Sequence, residues 1–162
     1  MIDDELRTTA AKLLDNLRAK GLTLVTAESC TGGLIAAALT EIPGSSDVVD
    51  CGFITYSNEA KQLVLAVPAA TLLAHGAVSR QTAEAMAEGA LAQSGADLAV
   101  AITGIAGPAG GSRDKPVGLV HFAAARSGRL LHREMRFGDI GRAEVRRQSV
   151  GVALDLLSEL AE

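Results

Sequence analysis

Ser29 sits in the turn Ala27-Glu28-Ser29-Cys30-Thr31-Gly32-Gly33, between a β-prone run and a helical one. Hydroxyl and glycine residues that open a helix leave backbone N–H groups free to meet an anion. Such a turn can hold a phosphate, or the oxyanion formed when Ser29 attacks a carbonyl. It can equally be a plain cap, with Ser29 and Thr31 closing the helix end and Gly32 and Gly33 allowing close packing. Neither GxGxxG nor GxxxxGK[ST] occurs there, so dinucleotide and P-loop fingerprints do not apply. Cys30 competes with the serine: a thiolate is stabilised at a helix N-terminus and is intrinsically the better nucleophile.

A base is needed for either nucleophile. Lys61 follows the chain's one tyrosine, Tyr56, on the first turns of a predicted helix. A lysine activates a serine only when neutral, and burial lowers its pKa towards that condition. The plainer alternative is a solvated lysine paired with Glu59. His75, His121 and His132 occur singly, without metal-ligand spacing to one another or to Cys or carboxylate, and read as surface or packing residues. A third loop, from Thr103 through Gly104, Ala106 and Gly107 to Ser112, is rich in glycine, which lets backbone amides approach a ligand or simply gives a flexible connection. Arg142, Arg146 and Arg147 open the last helix against its macrodipole, either to hold a phosphate or acidic group or as a solvated edge.

These loops need a scaffold, and the 162 residues describe one. Helices are expected over 3–20, 34–42, 58–65, 80–94 and 142–160, with a shorter one between Pro68 and His75. Strands are expected over 22–26, 48–56 and 98–102, followed by a 103–116 loop and a hairpin of 118–125 with 129–137. The alternation predicts an α/β fold: a single domain over 1–162, a three-layer α/β/α sandwich around a mixed, mostly parallel sheet with a late antiparallel hairpin. Ligands of such sheets bind at the carboxyl ends of the strands, which selects the loops 27–33, 56–61 and 103–111.

Composition narrows the function. Hydrophobic residues make up 48% of the chain, yet it has three Phe, one Tyr and no Trp. So few rings supply no stacking platform for single-stranded nucleic acid, and a net charge of −4 supplies no basic stripe for a phosphate backbone. No apolar run reaches the length of a membrane span. Two cysteines without a CxxC pair, and no secretory leader, point to the reducing cytoplasm.

AESCTGG (27–33), GFITYSNEAK (52–61), HGAVS (75–79), TGIAGPAGG (103–111) with KPVG (115–118), and VRRQ (145–148) stand in one order and spacing. In them the chain resembles the C-terminal domain of the CinA competence/damage-inducible proteins, in its free-standing form. The resemblance covers essentially the whole chain and implies hydrolysis of the carboxamide of nicotinamide mononucleotide to nicotinate mononucleotide and ammonia, in pyridine nucleotide salvage. It implies Ser29 as nucleophile, Lys61 as general base, Tyr56 sharing or orienting the proton, and Thr103 bonding the amide or the lysine. Backbone groups around Cys30, Thr31, Gly32 and Gly33, or from Gly104, Ala106 and Gly107, would bind the oxyanion, and Arg146 the 5′-phosphate, with Arg142 or Arg147 as substitutes. No metal or cofactor enters this scheme, and a homodimer is implied. The alternative function is a non-catalytic nucleotide-binding or partner module.

Overall fold

Asp3 opens the first helix by accepting the Leu6 amide at 3.0 Å, with Asp4 and Glu5 in the first turn where the helix dipole favours acids. The helix α1 (Asp4–Lys20) stops at Gly21, whose φ of 65° is a left-handed conformation that glycine adopts without strain. The computed structural model describes residues 2–162. The chain continues as β1 (Leu24–Glu28), α2 (Leu34–Thr40), β2 (Val49–Ile54), α3 (Asn58–Leu65), α4 (Ala69–His75), α5 (Arg80–Ser94), β3 (Leu98–Gly104), β4 (Leu119–Arg126), β5 (Arg129–Arg136) and α6 (Arg142–Ala161). None of these helices is long and apolar enough to cross a membrane.

The five strands form one mixed sheet in the order β2-β1-β3-β4-β5. Parallel pairings join β1 to β2 and β3, and antiparallel pairings join β3 to β4 and β4 to β5. Four strands therefore point one way and β4 the other. The two sheet faces differ in side-chain size. Leu24, Leu98, Val100, Ile102, Val120 and Phe122 face one core with α1, α2 and α6. Val25, Ala27, Ala99, Ala101, Ala123 and Ala125 face the other, against Ala83, Met86, Ala87 and Ala90 of α5. That alternation is the period-2 signature of strands buried on both faces. It also shows how an aromatic-poor chain fills its interior: bulky aliphatics on one side, and on the other alanines that let helices come close.

The closest approach is at Gly89. A Cβ there would lie 2.0 Å from the Leu65 carbonyl oxygen, so α5 touches the end of α3 backbone to backbone. Gly89→Ala should therefore lose about 1–3 kcal/mol to overpacking, more than the roughly 1 kcal/mol that helix propensity would return. Urea unfolding measures this, and ammonia-release kinetics should show whether the displaced α3 also moves Lys61.

Several boundaries differ from those the sequence predicts, among them α2, which ends at Thr40 rather than 42, and β2, which spans Val49–Ile54 rather than 48–56; two more differences bear on the Ser29 turn and the glycine loop. The first strand lies at Leu24–Glu28 rather than 22–26, which brings its last residue directly before Ser29. The third extends to Gly104, because β4 offers partners that the sequence alone does not reveal: Thr103 pairs with His121 and Gly104 with Val120. Thr103 is thus a strand residue and the glycine loop starts later.

Candidate active site

Lys61 is carried on the first turns of α3, a helix whose cap, Ser57, accepts the Ala60 amide at 3.0 Å. That places the lysine against the end of β1. Its Nζ lies 3.0 Å from Ser29 Oγ, 2.8 Å from the Thr55 carbonyl oxygen and 3.3 Å from that of Tyr56. The lysine is 1% exposed and the serine 8%. Burial pulls the Lys61 pKa down from its ordinary 10.5, since desolvation disfavours the ammonium. In the neutral amine, two N–H groups go to the two carbonyls and the lone pair faces the Ser29 hydroxyl. This is the geometry of a general base beside a nucleophile.

The same physics disfavours the thiolate of Cys30. Its thiol is buried in the core and pushed up to about 12, first by desolvation and then by the nearby Glu28 charge. Burial thus works against the thiolate expected at a helix N-terminus, and the donors of that helix end go instead to Glu28. Glu28, the last residue of β1, is fully buried and faces α2. Its Oε2 accepts from the Thr31 hydroxyl at 2.6 Å and from the amides of Gly33 and Ile35, and its Oε1 accepts from Ala36. The amide of Gly32 donates to the Ser29 carbonyl. Of the expected oxyanion donors, Gly32 and Gly33 are therefore engaged. Among the described residues, the amides of Cys30, Thr31, Ala106 and Gly107 have no protein acceptor. Glu28 is the residue that motif reading missed. Its signal is an acid immediately before a turn full of donors; that it ends a buried strand emerges only from the structure.

The remaining candidates are distributed around this pair. Thr103 is buried, but its hydroxyl donates to the Ala77 carbonyl at 2.7 Å and bonds neither Ser29 nor Lys61. It fastens the segment before α5 to the sheet. Tyr56, a residue 60% exposed, touches Lys61 through its carbonyl, while its phenol accepts from Arg142 at 2.9 Å. The other arm of Arg142 reaches the Gly107 carbonyl. Arg146, one turn further along α6, donates to the Thr31 carbonyl at 2.9 Å, and its buried Nε finds no partner among the described residues. Arg147 instead pairs with Asp3 and Glu144. Two arginines, neither in an ion pair among the described residues, therefore border the Ser29 turn and the glycine loop. His121 and His132 bond each other at 3.1 Å across β4 and β5, and neither bonds the Ser29–Lys61 pair. No cluster of three or more metal-ligating side chains occurs among the described residues.

The model of the CinA C-terminal domain matches residues 6–161 of this chain. The chain belongs to that family. This CinA C-terminal domain is 49% identical over 159 residues to the nicotinamide-nucleotide amidohydrolase PncC of Escherichia coli K12, covering 97% of this chain and 95% of that protein. It is 54% identical to a CinA-like protein of a Synechococcus strain, but spans only 37% of that relative's length. The crystal structure of the competence/damage-inducible protein CihA from Agrobacterium tumefaciens is the same CinA fold, with a TM-score of 0.98 at 56% identity over 100% of this chain and 99% of that one.

Proposed function

We propose that the chain is an amidohydrolase that converts nicotinamide mononucleotide to nicotinate mononucleotide and ammonia, through Ser29 and Lys61. The observation that carries this reading is the buried Nζ, 3.0 Å from Ser29 Oγ and held by two carbonyls. The PncC relative, matched along nearly the whole of both chains, supports the substrate.

Neutral Lys61 takes the Ser29 proton as Oγ adds to the carboxamide carbon. The oxyanion is met by unpaired amides of the Cys30–Thr31 turn or of Ala106 and Gly107. The Lys61 ammonium then returns its proton to the leaving nitrogen, the C–N bond breaks, and ammonia departs from an acyl-serine. Water enters, Lys61 takes its proton, and the ester is cleaved to the carboxylate, restoring the serine hydroxyl. Arg146, with Arg142 beside it, binds the 5′-phosphate. The enzyme acts on a small nucleotide, in cytoplasmic nucleotide salvage and as a homodimer.

Incubating the protein with the mononucleotide and assaying ammonia directly tests the proposal. Binding without ammonia release would overturn it in favour of a binding module. Arg146→Ala should raise KM for the mononucleotide by about 10–100-fold, the value of a charge-assisted contact to phosphate. It should leave any hydrolysis of free nicotinamide unchanged.

A further inference from the structure

We infer that Glu28 is a positioning residue that shapes the oxyanion pocket beside Ser29; this rests on the amidohydrolase reading above. The carboxylate is fully buried, and among the described residues no Lys or Arg lies within ion-pair distance of it. Buried carboxyl oxygens are tolerated only when hydrogen bonds replace their water. Thr31, Gly33, Ile35 and Ala36 supply four.

Capping does not explain so costly a device. The helix α2 has only seven residues, and a short polar side chain at its N-cap would serve; the cap position is instead Gly33, which has no side chain. Glu28 reaches it from the preceding strand, immediately before the nucleophile. The bonds over-determine the intervening turn. They tie Thr31 inward by its hydroxyl and accompany the left-handed conformations of Gly32 and Gly33, at φ of 59° and 98°. They also commit every α2 N-terminal amide from Gly33 to Ala36 except that of Leu34, which donates to Thr31. The amides without an acceptor in this turn are those of Cys30 and Thr31, adjoining Ser29. Glu28 thus decides which backbone dipoles remain for the developing oxyanion and keeps the helix end from competing for it.

Glu28→Gln tests this, because the new amide nitrogen cannot accept from a backbone N–H. Ammonia release from nicotinamide mononucleotide is measured beside wild type, with melting temperature on the same samples. The expected result is a kcat about 100-fold lower, the scale of a lost or misplaced oxyanion donor, with a much smaller rise in KM, since Arg146 rests on this turn only through the Thr31 carbonyl. A lowered melting temperature with unchanged kcat would mean a purely structural role and overturn the inference. Should Glu28→Gln not fold, Thr31→Val deletes one of the four bonds and Thr31→Ser restores it. A fall in kcat with valine and recovery with serine supports the inference; equal kcat values overturn it. Wild type that releases no ammonia overturns the amidohydrolase reading and this inference with it, whereas active wild type with an equally active Glu28→Gln overturns only the latter.

Discussion

Exchanging Lys61 for methionine should lower kcat for amide hydrolysis by on the order of 10⁴–10⁶-fold, the loss seen when one member of a nucleophile–base pair is removed. Methionine keeps most of the apolar stem and lacks only the terminal amine, so α3 should stay packed while the contact to Ser29 is lost. The wild-type pH profile carries the same information. Lys61 must be neutral to act, so kcat/KM should climb with pH and level off below the ordinary lysine value of 10.5. Stability has the same sign. The unfolded chain holds the lysine proton more tightly than the folded one, so Lys61's contribution is fully present above 10.5 and is lost as pH falls through the lowered folded-state pKa. Urea unfolding across this range should slope upward with pH in wild type and flatten in Lys61→Met. A pH profile unaffected by the substitution would remove Lys61 from the mechanism.

Ser29→Ala should be as damaging, on the order of 10⁴–10⁶-fold in kcat, while substrate binding persists. Adding Lys61→Met to it should cost little more, because the two groups act as one unit. Cys30→Ala, one residue away, should retain activity within about threefold, since a thiol pushed up to about 12 is not ionised at neutral pH. Loss confined to the cysteine variant would reverse the assignment of nucleophile. Ammonia assays on the three single variants and the double variant decide the matter.

The elements were legible where local chemistry dictates them. Gly21 and Gly95 end helices in left-handed conformations, and Ser79 caps the helix that follows it, as their residue types announce; the Ser57 cap of α3 emerges only from the structure. What escaped the sequence depends on partners far along the chain. Thr103 and Gly104 read as loop because glycine is a poor strand former, yet β4 pairs with both. By spacing Arg147 is equivalent to Arg146; what separates them is Asp3, 144 positions away, which pairs with Arg147. Local reasoning placed Cys30 at an activating helix end, and only burial and the Glu28 carboxylate reverse that. Nor does any spacing rule bring Lys61 to Ser29: the family resemblance named the pair, and the β2–α3 connection supplies the contact.

Tyr56 is the chain's one tyrosine, tryptophan is absent, and the phenol rests on Arg142 while the same residue's carbonyl touches Lys61. Excited at wavelengths beyond the absorption of its three phenylalanines, the protein emits from a single ring beside the site. Release of the phenol from its guanidinium should change that emission, so a fluorescence titration with nicotinamide mononucleotide would read occupancy without any label.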